Sequence, residues 1–354
     1  MRILSFIKDL NLLSRYPPYL SMIAREVEEF HLCHVKGKLE EKSIIFHRLR
    51  IPRTIHFSSL LLALPTALKA FKICRKHGID VIYVLDGIYY ELSGLLTSKL
   101  SRTPLVIRLR TNEVKLRPLL RYNVIKRILG DFLTRLVVTK AKRVICLNHE
   151  LRELVLGWGV NPSNVVIVYH GVDVNKFRPK KVKKPYSKVV LFVGGVSPAK
   201  GIYVLLRVAK MLKDIHFLLV GAVGINMHEI PSNVHYLGLK PHSDMPKYYN
   251  MCDVLVLPSY IEAFGDVILE AFACAKPVIA SKVGEIPWIV SPEFGWIVEP
   301  GDVQQLKKAV LNAFSDIKHL RDMGEAAREY VLKNFKWSFY AKEMTENLKV
   351  AVSG

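Results

Sequence analysis

Residues 253–281 read DVLVLPSYIEAFGDVILEAFACAKPVIAS. The run DVLVLPS has the continuous apolar character of a strand buried on both faces. YIEAFGD then forms a loop. A helix is predicted from Gly265 to Ala275, stopped ahead of Pro277, and KPVIAS supplies the next strand. Strand, helix and strand in so short a span make a βαβ unit, whose two strands lie parallel in one sheet. The same rhythm extends backward through SKVVLFVGG, YVLLRVAKMLK, IHFLLVG, NVHYLG and MPKYYNMC. It also fills the first half, as RILSFI, the predicted helix YLSMIAREVEEF, HLCHV, SLLLALPTALKAFKICRKHG, IDVIYVLD and PLVIRL. The expected class is therefore α/β, with two doubly wound, Rossmann-like domains.

A chain of 354 residues is long enough for two cores. The break is placed where VVIVYHGVDVNKFRPKKVKKPYSK leaves a strand at a His-Gly turn and becomes rich in proline and lysine. The expected domains are residues 1–170, a linker over 171–188, and 189–335. FKWSFYAKEMTENLKVAV forms a final amphipathic helix, about 336–354, with aromatic residues at its start. The five cysteines are scattered with no C-x-x-C pair, which argues against a disulfide framework or a cysteine zinc site and fits a reducing cytoplasm. The opening MRILSFI lacks a basic stretch with a long apolar run behind it, so no signal peptide is expected. The longest apolar run, near Ser58 to Ala67, contains Pro65 and is too short to span a bilayer. Charge is uneven: 52 Lys and Arg against 31 Asp and Glu give +21, of which +14 falls within residues 1–175. Thirteen basic residues lie between Lys99 and Arg143 against Glu113 and Asp131 alone. Such a field attracts nucleic acid, anionic lipid or a phosphorylated substrate, although a lysine-rich solvated surface gives the same count.

Two constellations carry chemistry. In VLFVGGVSPAKGIYVLLRVAK a strand meets Gly194 and Gly195, and Lys200-Gly201 precedes a helix. Glycine lets backbone amides approach an anion, the helix presents its positive end, and Lys200 adds a full charge. An ordinary strand-to-helix turn with a surface lysine has the same appearance, and neither a dinucleotide nor a P-loop fingerprint is present. In the loop after DVLVLPS, the amides of Phe264 to Val267 open a helix suited to phosphate, and Glu270 lies on its next turn. Glu262 and Glu270 admit three readings: a capping box from Ser259 to Glu262 with a solvated Glu270, a glycosidase-like acid and nucleophile, or two groups on one ligand.

E-A-F-G-D-V-I-L-E, continued by A-F-A-C-A-K-P-V-I-A-S-K-V-G-E-I-P, resembles the E-x7-E signature of retaining glycosyltransferases of family 4, GT4, which adopt the GT-B fold of two facing Rossmann-like domains around a deep interdomain cleft. GGVSPAKG resembles that family's G-R-x-x-x-x-K-G phosphate loop, HGVDVNKFRP its interdomain segment, and FKWSFYAKE its crossing helix. The resemblance implies a donor site in the second domain. Glu270 would bind the ribose of a nucleotide-diphosphate sugar and Glu262 the sugar near its reacting carbon. Gly194, Gly195, Phe264, Gly265, Val267 and Lys200 would hold the diphosphate, with Glu262 and Lys200 the catalytic pair. The chain has no D-x-D, so no metal or other cofactor is expected.

Gly195 stands where the family has arginine, removing one of two expected cations; Lys282 and Arg110 are candidate substitutes. Asp266 puts a carboxylate beside the phosphates and must point away. The loop KDLNLLSRYPP lacks the family's glycine pair, and Arg110-Thr111 replaces its histidine, which leaves Asp86, Arg110 and Glu113 as acceptor-side candidates. The stretch 116–143 alternates aliphatic and basic residues at helical spacing, suited to an anionic membrane face and a lipid-linked acceptor, or to a core-packed helix with a basic back. The expected activity is retaining, metal-independent transfer from a UDP-sugar (UDP-glucose or UDP-GlcNAc) or GDP-mannose to a glycan, lipid-linked or phosphorylated acceptor, in the cytoplasm or peripherally on the membrane. The rival readings are a nucleotide-sugar epimerase or phosphorylase on the same fold, and a basic nucleotide- or nucleic-acid-binding protein. No helix-turn-helix, zinc or RNP pattern supports specific nucleic-acid recognition.

Overall fold

A computed structural model describes residues 1–9, 19–36, 41–49, 63–85, 88–112, 114–115, 124–224 and 230–353. The chain forms two compact units, Met1–Tyr169 with Trp337–Gly354, and His170–Lys336.

Among the described residues the first unit holds one parallel sheet of seven strands: β1 (Arg2–Asp9), β2 (Glu29–Lys36), β3 (Ile45–Arg48), β4 (Val81–Leu85), β5 (Leu105–Leu109), β6 (Arg143–Cys146) and β7 (Val165–Ile167). Their spatial order is β3-β2-β1-β4-β5-β6-β7. β4 and β5 are buried at every position, as strands covered on both faces must be. The predicted helix YLSMIAREVEEF is shorter, Tyr19–Arg25, because Glu29 and Phe30 pair with Arg2 and Ile3 of β1. Arg2 also binds the Glu28 carboxylate at 2.7 Å, so sheet pairing overrides the helical pattern there. The last helix, Trp337–Ser353, buries Trp337, Tyr340, Met344 and Leu348 among residues of this unit such as Leu20, Ile23, Phe30 and Tyr83. Arg108, 1% exposed, fastens it from below: its guanidinium donates to the Val168 carbonyl at 3.2 Å and lies 5.0 Å from the Tyr340 ring centre.

The second unit is a six-stranded parallel sheet of β8 (Val189–Val193), β9 (His216–Val220), β10 (Val234–Tyr236), β11 (Val254–Leu257), β12 (Val278–Ser281) and β13 (Gly295–Val298), in the order β10-β9-β8-β11-β12-β13. Phe192, Phe217, Leu219, Val254, Val256 and Ile279 form its centre with the helix Ile202–Met211. The proline- and lysine-rich stretch from Gly171 packs on this unit: Lys184 binds Asp253 at 2.6 Å and the Lys180 amide donates to Asn250 Oδ1. All five cysteines are free and buried. Among the described residues no helix is long and apolar enough to cross a membrane.

Candidate active site

Strand order reverses between β8 and β11, which are hydrogen-bonded neighbours although β9 and β10 intervene in sequence. The loops leaving the carboxyl ends of such a pair diverge and open a crevice, the usual ligand site of a parallel sheet. Those loops are the ones that carry Lys200 and Glu262.

Three glycines with positive φ shape this crevice. Gly201 has φ 71°, and a Cβ there would fall 1.8 Å from the Pro258 carbonyl oxygen. Only glycine lets the Lys200 loop lie this close to the end of β11. The Tyr260 amide then donates to the Ala199 carbonyl at 2.9 Å. Gly284, at φ 54°, presses on the other side, where a Cβ would fall 1.9 Å from Glu262 O. As a result Lys200 Nζ donates to Glu262 Oε2 at 2.6 Å, with the lysine 30% and the glutamate 16% exposed. Gly265 is the third, at φ 88°, and caps the helix Asp266–Ala273 without a side-chain bond. Ser259 and Glu262 therefore form no capping box, and the buried Ser259 hydroxyl has no hydrogen-bond partner among the described residues. Phe264 is buried beneath the loop and Val267 is half-buried on the first turn.

Glu270 is no solvated charge either. Its side chain is 14% exposed, and its two oxygens accept from Tyr249 Oη at 2.7 Å and His242 Nε2 at 2.6 Å. Lys176 Nζ lies 2.8 Å from His242 Nδ1. A lysine donating to Nδ1 fixes the neutral tautomer that donates from Nε2, so the imidazole is oriented by one partner and orients the next. Burial, and then the Glu270 charge, raise the Tyr249 hydroxyl well above its ordinary range and keep it a donor. Burial lowers Lys176, with Glu270 and Asp173 acting in the opposite direction.

Asp266 is answered by His170, whose Nδ1 bonds its Oδ1 at 2.8 Å. Gly194, at φ 147°, is touched by Gly221, whose Cβ would fall 1.8 Å from the Gly194 carbonyl oxygen, so the loops after β8 and β9 pack backbone to backbone. Gly195 has open space: a Cβ would meet only Ser197 Oγ, at 4.0 Å. Lys282, a candidate substitute for the absent arginine, pairs instead with Glu299 at 3.7 Å. Arg110 follows β5 in the other unit, half-buried. Asp86, Glu113 and the loop 10–18 lie outside the described residues.

Sequence reading passed over His170, Lys176, His242 and Tyr249. The first two stand inside HGVDVNKFRP, which the sequence had already singled out for its turn. His242 and Tyr249 carried no signal, since one is a loop histidine and the other a helical tyrosine of ordinary spacing.

Two family models cover most of the chain: Glycosyltransferase Family 4 over residues 21–176, and Glycosyl transferases group 1 over residues 173–330. A glycosyltransferase of Methanocaldococcus jannaschii is 27% identical over 349 residues, 92% of this chain and 93% of that one. The D-inositol 3-phosphate glycosyltransferase 2 of Catenulispora acidiphila is 33% identical over 234 residues, but only 57% of this chain and 54% of that protein are matched. Among solved structures, HepE of Anabaena in complex with UDP and glucose superposes with a TM-score of 0.77 at 18% identity, over 99% of this chain and 100% of that one. That likeness extends to the fold.

Proposed function

The chain belongs to the family 4 glycosyltransferases of the GT-B fold, and we propose that within them it transfers a sugar from a nucleotide-diphosphate donor, with retention and without a metal, to a phosphorylated or lipid-linked acceptor. The observation that carries the reading is the pair of separately anchored glutamates at the β8/β11 crevice: Glu262 on Lys200, Glu270 on Tyr249 and His242. Two carboxylates with independent anchors serve two ends of one ligand better than they serve a shared proton.

In this mechanism Glu270 accepts from the ribose hydroxyls, and the diphosphate lies on the amino end of helix Asp266–Ala273 and on the Gly194-Gly195 loop. The bond from the anomeric carbon to the β-phosphate oxygen breaks while the acceptor oxygen bonds to that carbon on the same face. The acceptor proton passes to the departing phosphate oxygen. Lys200 stabilises the charge growing on that oxygen, and fixed donors of this kind act most strongly where water is excluded. Glu262 orients both the sugar and the Lys200 ammonium. With no D-x-D in the chain, Lys200 and the helix end supply the positive charge a bridging metal would otherwise give. UDP in the HepE complex supports a UDP-sugar donor. The inositol phosphate relatives and the basic first half support a phosphorylated acceptor.

A thermal-shift titration with UDP, GDP and ADP tests the donor assignment. One nucleotide at a hundred times its Kd should add about 2.7 kcal/mol of stability, and the other two should add little. Gly195→Arg, at a position where a Cβ meets only Ser197 Oγ at 4.0 Å, should deepen that shift. No shift with any of them, in either protein, would refute the assignment.

The membrane-facing part of the proposal rests on the helix Val124–Lys140. It buries Thr134, Val137 and Val138 but exposes Ile125, Ile128, Phe132 and Leu136 in a stripe at helical spacing, with Ile125 77% and Phe132 61% exposed. One side of the helix is thus core-packed, and the other carries apolar as well as basic residues. Exposed Arg135 and Lys140 flank the stripe, and anionic headgroups complement them. The protein should sediment with phosphatidylserine-containing vesicles at low salt, more weakly at high salt. Ile125→Asp with Phe132→Asp should abolish binding. Equal sedimentation of that variant would remove the helix from the interface.

A further inference from the structure

We propose that His31, His47 and His77 form a binding site for one divalent transition-metal ion of the Zn²⁺ or Co²⁺ type, on the first structural unit and separate in residues from the donor site. His31 lies on β2, His47 on the adjacent edge strand β3, and His77 ends the helix Ala63–His77. One ring nitrogen from each lies within 4.8 Å of the other two, and among the described residues no other three His, Cys, Asp or Glu meet in this way.

The chemistry of the set fits a metal better than it fits a chance stack. His31 is fully buried and its Nε2 is 2.8 Å from Glu29 Oε2. A carboxylate on one nitrogen fixes the proton there and turns the other nitrogen's lone pair inward, the arrangement that commonly backs a metal-bound histidine. That inward atom, Nδ1, is 2.9 Å from His47 Nε2. Without an ion, His47 donates to it. With one, the His47 proton moves to Nδ1 through solvent, both lone pairs face the ion, and no net proton is released. Tetrahedral bonds of about 2.0–2.1 Å put neighbouring ligand atoms roughly 3.3 Å apart, so the pair has to open by only about half an ångström. The His77 ring, centred 4.5 Å from His31 and 5.8 Å from His47, supplies the third ligand. The positive groups nearby are Lys76 and Arg2, and Arg2 is taken up by Glu28 at 2.7 Å. A fourth position remains for water, and three imidazoles suit Zn²⁺, Ni²⁺ and Co²⁺. The ion would clip the edge of the sheet to the end of a helix.

The second unit contains an internal comparison. His216 and His235, on β9 and β10, approach to 3.1 Å but stack on Tyr186 at 3.6 and 4.7 Å between ring centres. They form a layered surface cluster, and no third ligand completes it among the described residues.

The test is titration of the full, untagged chain with Co²⁺ alone, followed by visible absorption, calorimetry and melting temperature. One Co²⁺ per chain should bind with ligand-field bands and no thiolate charge-transfer band, and the melting temperature should rise. His47→Ala and His77→Ala, both at half-buried positions, should each lose the bands and the shift. Glu29→Gln should bind roughly tenfold to hundredfold more weakly. His235→Ala should behave as wild type. If binding is absent, survives in both His47→Ala and His77→Ala, or falls as much in His235→Ala, the site does not exist.

Discussion

Glu262→Ala should lower kcat by about 10²–10³ while changing donor affinity less than about threefold, the pattern of an interaction realised in the transition state. The basis is geometric. Glu262 is the only carboxylate bonded to Lys200 among the described ion pairs, and both ride on loops that Gly201 and Gly284 press into backbone contact. Removing the carboxylate frees the ammonium to swing toward solvent and takes away the group aimed at the sugar. Glu262→Gln should recover only part of the rate, since it restores an acceptor without its charge. Lys200→Ala should damage both parameters, because the lysine also meets the diphosphate in the ground state. Single-turnover rates and calorimetric donor affinities separate these cases. Equal losses of affinity and rate in Glu262→Ala would mean that the residue only builds the pocket.

Glu270→Ala should do the opposite. A charged group's hydrogen bonds contribute about 1.5–3 kcal/mol, so donor Kd should rise roughly ten- to hundredfold, with kcat at saturation within a few-fold of wild type. The unliganded protein should also melt lower. Tyr249 is fully buried and its hydroxyl would lose its partner, at a cost of about 1–3 kcal/mol. His242→Ala removes an exposed clamp and leaves the Tyr249 bond intact, so it should weaken the donor less and leave stability almost unchanged. Donor calorimetry with melting curves on the three proteins distinguishes ribose binding from scaffolding. Unchanged affinity in Glu270→Ala, with stability alone reduced, would assign Glu270 to the fold.

Sequence by itself determined the architecture and singled out the residues placed at the centre of the proposed site. Fully buried strands are written as apolar runs, and short helices between them admit only parallel connection, so β8, β11 and β12 with their helices follow from residues 189–281. Glu262, Glu270 and the helix end at Gly265 were legible because their spacing is local, within one loop and one turn, and Lys200 because it stands in a second local pattern, the glycine loop after β8. The early end of the helix at Arg25 was not, since it depends on the pairing of Glu29 with Arg2. The anchors were hidden for the same reason. Lys200 meets Glu262 across 62 positions, His170 meets Asp266 across 96, and Tyr249 meets Glu270 across 21. A charge in a sequence names what it can bind; only the folded sheet, by deciding which loops share a strand end, names what it does bind.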